Sequence, residues 1–242
     1  MSPRPDRSSS VAQAVIVLFS SGREPVAAAL AQRWARHGAV PMTPLDLSRR
    51  GWVLDDVCRG LAECVVDGQR RLCRDISGIL IRATHVAAED LGHIVEPERR
   101  YVAAEMTAFL VHWLTQLACP VLNRPGASCL SGPGWHPEHW AVMAGCVGLG
   151  ARPVQRRVGV EPAETATISE GTHVVTVVGE RAFGDGSLDL HEKAIALARL
   201  ARLDLVRFVF GKGNDRLVGA DPFPPPHDPE IEEAVLATLT GQ

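Results

Sequence analysis

Short apolar runs alternate with amphipathic stretches along the first half of the chain. Residues 12–20 are continuously apolar and rich in valine and isoleucine, which is typical of a strand buried in a parallel sheet. Residues 24–38 carry apolar side chains at helical spacing and end in a glycine, and residues 39–48 predict a second strand. This β-α-β order predicts an open α/β layer.

The segments that follow extend the layer. Asp67 and Gly68 separate two short runs and predict a β-hairpin. A further buried strand is predicted to end at Arg82, residues 97–118 carry the clearest helical pattern, and residues 119–125 predict a short strand. Together with the first three elements, these strands and helices form one predicted domain.

The rest of the chain has a different pattern, with a non-periodic stretch at 161–171 that predicts a linker. A turn at Gly179-Glu180 and a stronger turn signal at residues 211–215 predict local hairpins here. The predicted elements are a helix at 135–150, an extended piece at 151–160, a strand with a turn at 172–184, an amphipathic helix at 188–203, two strands around a turn at 211–215, and a last helix at 228–241.

Composition and charge narrow the function classes. Apolar residues make up 46% of the 242 residues, enough for a folded core, and the net charge of −3 argues against a general electrostatic grip on nucleic acid or on an anionic membrane. The six cysteines form no C-x-x-C pair, and no apolar stretch is long enough to span a membrane. A polar start without an apolar signal core predicts a cytoplasmic protein with reduced thiols.

The order of motifs resembles the RimK-type ATP-grasp ligases of peptide-modification and natural-product pathways. Three segments carry the resemblance: "ILIRAT" with the helix and strand up to "VLNRP", then "AVMAGCVGLGARPVQRRV", and finally "HVVTVVGERAFG" through "VGADPFPPP". The resemblance implies a pre-ATP-grasp-like open α/β layer followed by an ATP-grasp carboxy-terminal α+β lobe. It also implies a site between lobes, where the family clamps ATP and magnesium.

The chain departs from the resemblance where the family holds its nucleotide. Its two lysines, Lys193 and Lys212, match neither of the family's phosphate-binding lysines. On the last hairpin the family's ligand positions fall at Phe208, Gly219 and Asp221, so only Asp221 offers an oxygen ligand for magnesium. One carboxylate is insufficient for a metal that needs several oxygen ligands, and Asp221 could instead cap the following turn.

The linker stands where the family has its central ATP-clamping subdomain, which predicts a truncated lobe. The expected organisation is a disordered tail at 1–10, a pre-ATP-grasp-like domain at 11–125 and a truncated ATP-grasp-like domain at 126–242, with the linker at about 159–172. ATP and Mg²⁺ are therefore not expected as cofactors unless a partner completes the clamp.

Three polar residues at predicted strand ends are candidates for substrate binding. Arg82, Asn123 and Arg124 follow apolar strands, and in open α/β sheets ligands bind outside the carboxyl ends of the strands. The two arginines could hold the carboxylate of a peptide or an amino acid. The alternative is a structural ion pair between an arginine and Glu105 or another helix acid.

The segment "GPGWHPEHWA" offers a second candidate site. His136 and His139 share a helix face and could bind a metal or exchange protons. The alternative is a helix start, with Pro137 and Glu138 in the first turn and the two neighbouring tryptophans packed as a staple. Cys129, in the loop before His136, is a candidate nucleophile, whereas the other cysteines are expected mostly in the core.

These features favour a non-catalytic ATP-grasp-derived protein that binds a peptide, an amino acid or a biosynthetic partner enzyme. Loss of the central lobe would expose apolar surface, so a homodimer or a heteromeric complex is expected. The alternative is an enzyme, either a ligase whose ATP clamp comes from a partner or a nucleotide-independent site at His136 and His139.

Overall fold

The computed structural model describes residues 14–55, 61–154 and 172–241 of the chain. The strands are β1 Val15–Ser20, β2 Ala39–Met42, β3 Glu63–Val66, β4 Gln69–Leu72, β5 Ile76–Arg82, β6 Val121–Leu122, β7 Thr172–Val178, β8 Arg181–Gly184, β9 Leu205–Gly211 and β10 Leu217–Asp221. The α-helices are α1 Pro25–Arg33, α2 Pro44–Leu47, α3 Arg99–Gln116, α4 Pro137–Cys146, α5 Leu188–Ala201 and α6 Pro229–Thr240.

A parallel sheet forms the first layer and confirms the predicted α/β arrangement. Its strand order is β2-β1-β5-β6, and each neighbouring pair runs parallel. All six residues of β1 are buried, as expected for a strand covered on both faces. The β3–β4 hairpin forms a separate two-stranded sheet whose turn is Asp67-Gly68, both with positive φ, which confirms the predicted turn.

The second strand, predicted over residues 39–48, is correct only in its first half. The strand β2 stops at Met42, and residues 44–47 form the short helix α2. Thr43 and Asp46 form a capping box at its start, and Pro44 occupies the first helical position, where its missing N–H costs nothing. The cap signals of Thr43-Pro44 therefore outweigh the apolar pattern that predicted a continuous strand.

An antiparallel sheet forms the second layer, in the order β10-β9-β7-β8. Both predicted hairpins are present: β7 pairs with β8 through a turn at Gly179, and β9 pairs with β10. Helices α4 and α5 supply apolar residues to a core with one face of this sheet, where Phe208 and Phe210 are completely buried. The mixed α/β architecture is that expected from the sequence.

The last helix joins the two layers. Helix α6 packs on β5 of the parallel sheet and on β7 of the antiparallel sheet. Gly78 on β5 permits this contact, since a Cβ there would lie 2.3 Å from the carbonyl oxygen of Leu239. Glu232 of the same helix accepts hydrogen bonds from the Trp34 indole and from Arg33. A core that draws on both sheets surrounds these contacts; its buried members are Ile16, Leu18, Leu30, Trp34, Ala39, Leu80, Leu122, Val178, Leu205, Ala234, Val235 and Leu239.

Three of the predicted segments lie largely outside the described residues. The tail at 1–10 does so entirely, the linker at 159–172 does so except for Thr172, and the extended piece at 151–160 is described at residues 151–154 alone. The predicted domain boundary at 125/126 stays a prediction, and the shared core around α6 shows how closely the two predicted domains are packed. Among the described residues, no helix combines the length and the apolar character needed to cross a bilayer.

Candidate functional site

A cleft of about 410 Å³ opens at the carboxyl ends of β1 and β5. This is the edge of the parallel sheet where open α/β folds bind their ligands, and the volume is within the range of small-molecule sites. Phe223, just after β10, contributes one side, so both layers meet at the cleft. Its walls are Ser21, Arg23, Arg82, Ala83, Thr84, His85, Ala87, Glu89, Asp90 and Phe223.

Arg82 lies in the wall of this cleft but is already paired. Its Nε and Nη2 donate to the carboxylate of Glu24 at 3.1 and 3.4 Å, and its Nη1 donates to the carbonyl oxygen of Pro224 at 3.4 Å. Only 6% of the Arg82 side chain is exposed. Glu24 is also the N-cap of α1, since it accepts from the Ala27 amide at 2.6 Å. The acid that pairs with Arg82 is therefore Glu24 and not Glu105.

Asn123 is brought next to the second layer and not into the cleft wall. The side chain is buried and makes contacts on both of its polar atoms. Its Oδ1 accepts from the amides of Asp204 and Leu205 at 2.8 Å, and its Nδ2 donates to the carbonyl oxygens of Leu205 at 2.8 Å and Pro222 at 3.4 Å. Asn123 thereby ties the end of β6 to the start of β9.

Arg124 caps the long helix. Its guanidinium donates to the carbonyl oxygens of Leu114, Leu117 and Cys119 at 3.0–3.2 Å, which are groups that a helix end leaves without intrahelical partners. The three predicted substrate-binding residues thus do not form one cluster. Only Arg82 lines the cleft, and the substrate-binding roles of all three stay predictions.

Six polar residues of the cleft were missed from the sequence, namely Ser21, Arg23, Thr84, His85, Glu89 and Asp90. Ser21 donates its hydroxyl hydrogen to Asp90 Oδ1 at 2.7 Å, Arg23 donates to the carbonyl oxygen of Glu89, and Arg23 Nε lies 3.9 Å from Asp90 Oδ1. The rule that singled out Arg82 at the end of β5 would also have singled out residues 21–23 after β1. Nothing in the sequence pattern placed Glu89 and Asp90 opposite them, because that loop has no periodicity.

A second and larger groove, of about 660 Å³, adjoins the cleft along α3. Both cavities are lined by His85 and Glu89, so the two adjoin at these residues. Small side chains of α3 leave the room for this groove: Ala103, Ala104 and Ala108 lie along it. The remaining lining residues are Val86, Ala88, Arg100, Thr107, Val111, Ala127 and Ser128.

The strand end that resembles a magnesium site is occupied by an arginine. Arg207 lies opposite Asp221 in the β9–β10 register, and its Nη2 lies 2.7 Å from Asp221 Oδ2. The other carboxylate oxygen accepts from the amide of Phe223 at 2.8 Å, which is the turn-capping role considered for an Asp-Pro pair. Gly219 and Phe208, the other two positions of the resemblance, provide no side-chain oxygen.

His136 and His139 stand at the start of α4, both exposed. His136 is the N-cap residue, and Pro137 and Glu138 occupy the first turn. Trp135 and Trp140 pack edge-to-face with ring centroids 4.9 Å apart, which is the arrangement of a hydrophobic staple. The helix-start interpretation of this segment is therefore confirmed.

The functional interpretation of the histidine pair has no third ligand in the described part of the chain. Their ring centroids are 6.4 Å apart, and no group of three or more His, Cys, Asp or Glu residues able to hold a metal is found among residues 14–55, 61–154 and 172–241. A catalytic role for His136 or His139 stays a prediction.

Cys129 is placed unfavourably for a nucleophile. The thiol is buried and donates to the carbonyl oxygen of Ser131 at 3.3 Å. Burial raises its pKa above the ordinary value for a thiol, with a smaller opposing effect from the Ser131 contact. Since the thiolate is the reactive form, this environment favours a structural cysteine. Cys64 and Cys73 are also in the core, whereas Cys146 is exposed.

Sequence comparison gives no relative: no family model matches the chain, and no curated protein does. Structural comparison does. The macrocyclase MdnC from Microcystis aeruginosa MRC, bound with precursor peptide MdnA, aligns with a TM-score of 0.67 at 10% identity over 94% of this chain and 100% of that chain. The ATP-grasp ligase PsnB, complexed with a minimal precursor, aligns with a TM-score of 0.65 at 12% identity over 93% and 99%.

A third similar structure is the RiPP-associated ATP-grasp ligase of Chryseobacterium gregarium, in complex with ADP and a leader and core peptide. It aligns with a TM-score of 0.64 at 9% identity, over 95% of this chain and 97% of that chain. Identities this low establish the architecture and leave the activity open. The layers, the strand-end cleft and the alignments together show that the chain has the fold of the ATP-grasp ligases.

Proposed function

We propose that this chain is a non-catalytic, ATP-grasp-derived protein that binds a peptide or amino-acid substrate in a peptide-modification pathway. One contrast carries the proposal. The carboxylate of Asp221, where the resemblance expects a metal ligand, is neutralised by Arg207 and capped by the Phe223 amide. The cleft at the end of β1 and β5 is open and lined by charged groups.

The structural neighbours support the peptide as ligand class. MdnC, PsnB and the Chryseobacterium gregarium ligase were each solved with a precursor, leader or core peptide. A protein that keeps this architecture while losing its nucleotide grip retains a surface on which such a peptide can lie. The adjoining cleft and α3 groove provide that surface in this chain.

The positions of the two lysines support the proposal that this chain does not bind a nucleotide as the ATP-grasp ligases do. Lys193 lies on α5 and pairs with Asp189 one turn earlier, with Nζ and Oδ2 2.6 Å apart. Lys212 lies in the turn between β9 and β10. ATP-grasp chemistry requires cations around the phosphates to neutralise their charge during acyl-phosphate formation. Neither lysine lines the strand-end cleft.

The proposal includes assembly with a second copy or with a biosynthetic enzyme. Large apolar side chains stand exposed on several helices, for example Tyr101 at 69%, Val142 at 63% and Leu188 at 75% exposure. These three residues lie on three different helices, and exposed apolar area is often covered by another chain where it is contiguous. Light scattering after size exclusion tests the assembly, and a strict monomer over a wide concentration range would contradict it.

Calorimetric titration separates binding of peptide from binding of nucleotide. We expect no saturable heat with ATP and Mg²⁺ and saturable binding of a precursor peptide encoded beside the gene. Micromolar binding of Mg²⁺-ATP by the isolated chain would overturn the non-catalytic proposal. If Mg²⁺-ATP binds only after a ligase from the same gene neighbourhood is added, the chain is instead one part of a two-protein enzyme.

A further inference from the structure

The charges around the strand-end cleft are unbalanced toward the negative. Three carboxylates, of Glu24, Glu89 and Asp90, stand against two guanidinium groups, of Arg23 and Arg82. Glu24 and Arg82 neutralise each other. With His85 neutral, the cleft is left with two carboxylates and one arginine, whereas Arg100 lines the adjoining groove beside Glu89. The negative excess is therefore confined to the cleft itself, and a cationic ligand group would balance it there.

Asp90 is the group best placed to receive such a cation. Its side chain is only 8% exposed, although it lines the cleft. Oδ1 accepts from the Ser21 hydroxyl at 2.7 Å, whereas Arg23 is too far, at 3.9 Å, for a hydrogen bond to the same oxygen. No described residue donates to Oδ2. Oδ2 is not among the buried side-chain atoms that lack a partner, so it is accessible and a donor on a ligand can reach it.

Glu89 adds a second carboxylate at the same place. Its side chain is exposed and has no hydrogen-bonding or ionic partner among the described residues, while its backbone carbonyl accepts from Arg23. That contact holds the Arg23 guanidinium on the backbone of the loop, and 69% of its side chain is exposed. Arg23 therefore neutralises the pair of acids only in part.

A carboxylate on the ligand would match the charges of the cleft less well than an ammonium group. Arg82 donates three of its five N–H groups to Glu24 and Pro224, and its charge is cancelled by Glu24. A carboxylate entering the cleft would meet Asp90 and Glu89 as like charges. The sequence prediction that arginines at this edge hold a carboxylate depended on Arg124, which caps α3 instead.

We propose that the cleft binds the primary ammonium group of a peptide, with the ammonium donating to Asp90 and Glu89, and that the peptide continues into the α3 groove. The proposal rests on the proposed peptide-binding function and names the end of the peptide that enters the cleft. An ammonium group carries three donors, which suits an uncapped Asp90 oxygen and an exposed Glu89 carboxylate.

The α3 groove suits the residues that follow the ammonium. His85 and Glu89 line both cavities, so the two adjoin, and the peptide would cross these residues to reach the groove. The methyl groups of Ala103, Ala104 and Ala108 lie along the groove. An extended peptide directs alternate side chains to one side, so apolar residues at every second position would pack on these alanines.

Nuclear magnetic resonance of the isotopically labelled full chain tests the proposal residue by residue. The probe is the peptide Ala-Leu-Ala-Leu with an amidated carboxyl end, compared with the same peptide acetylated at its amino end. We expect the free peptide to shift the backbone amide signals of Ser21, Asp90 and the α3 alanines. The acetylated peptide, which lacks the ammonium, is expected to bind at least about tenfold more weakly.

Other outcomes separate this proposal from the proposed function. If free and acetylated peptides bind equally well, peptide binding stands and the ammonium site is wrong. If neither probe nor the precursor peptide shifts any signal, both the site and the proposed function fail. A lysine side chain is the other source of a primary ammonium, and the acetylated peptide Ala-Leu-Lys-Leu amide tests it: recovered binding assigns the cleft to a lysine instead of the amino end.

Substitution of Asp90 provides the matched comparison. Asp90→Asn keeps the shape and the bond to Ser21 within reach but removes the charge, and we expect about a tenfold loss of affinity for the free peptide and little change for the acetylated one. Asp185→Asn makes the same change in the exposed loop before α5, where no effect is expected. Equal affinities of Asp90→Asn and the parent chain, with both folded by their amide spectra, would overturn the proposal.

Discussion

The two strand-end regions of the molecule use the same pair of residue types to different effect. At the end of β5, Arg82 and Glu24 form an ion pair in a buried wall, and an open cleft remains beside it. At the end of β10, Arg207 pairs with Asp221 on the more exposed antiparallel sheet, where 26% and 33% of the two side chains are accessible. The same type of pair therefore stands beside an open cleft at one strand end, and covers the carboxylate at the other.

What decides between these outcomes is the number of acids left after pairing. Asp221 has one oxygen on Arg207 and the other on the Phe223 amide, so both are occupied. Next to Arg82, the acids Glu89 and Asp90 exceed the remaining cation. An acidic residue at a strand end therefore indicates a ligand site only if its carboxylate is not already paired with a residue of the neighbouring strand.

The largest effect is expected from a substitution that weakens the contact between the two sheets, because both strand-end regions depend on that contact. Asn123→Ala removes a side chain that makes three hydrogen bonds to residues 204–205 at the start of β9 and a fourth to Pro222 after β10. Since the amide of Leu205 would be left buried without a partner and the partly buried amide of Asp204 would lose its acceptor, we expect a loss of about 3 kcal/mol in the free energy of unfolding. Urea denaturation followed by circular dichroism measures it.

Asn214→Ala is the control for that substitution. Asn214 lies exposed in the β9–β10 turn, and its side chain accepts only from the nearby Arg216 amide. We expect a change within about 0.5 kcal/mol, as for most surface positions. A small loss for Asn123→Ala as well would mean that Asn123 does not couple the two layers.

A second substitution tests the contact of α6 with the parallel sheet. Gly78→Ala places a methyl group 2.3 Å from the carbonyl oxygen of Leu239, which is backbone and must move. Overpacking of this kind costs about 1–3 kcal/mol, and we expect a value near the upper end. Gly22→Ala is the control, because nothing lies within 4 Å of a Cβ there. Equal stabilities of the two variants in the same urea titration would show that α6 is free to shift.

The smallest effect is expected at the Arg207–Asp221 pair itself. Arg207→Ala should lower stability by less than about 1 kcal/mol, because the pair is partly exposed and screened by solvent. It should also leave Mg²⁺-ATP unbound, since one freed carboxylate does not make a magnesium site. Arg199→Ala, which breaks the exposed pair with Glu180, is the control. Mg²⁺-dependent nucleotide binding by Arg207→Ala alone would show that Arg207 suppresses a working metal site.

Much of the architecture follows from local patterns. The buried β1 run, the Asp67-Gly68 hairpin and the long α3 helix are present as predicted, because each depends on residues close in sequence. The strand predicted over residues 39–48 was wrong in its second half, where a capping box at Thr43 starts a helix. There a specific side-chain bond outweighed the average apolar character.

The sequence predicted where the candidate site lies, at the carboxyl ends of the strands, but not most of the residues that line it. Arg82 lines the cleft as expected, whereas Asn123 and Arg124 make structural contacts with backbone groups. Those partners lie on other elements, and a sequence pattern carries no signal for them. Asp90 was missed for the same reason. The sequence of a loop without periodicity does not indicate which residues the loop contacts.

The sequence by itself determined most of the strands and helices, the order of an α/β layer and a hairpin-built part after it, and the presence of two lysines, Lys193 and Lys212. The tertiary structure alone decided which charges meet. It set Arg207 against Asp221, gave Glu24 to Arg82, and left Asp90 beside an open cleft. The physical reason is that hydrophobic patterning is read along the chain, whereas ion pairs and hydrogen bonds depend on distances of a few ångströms between segments far apart in sequence.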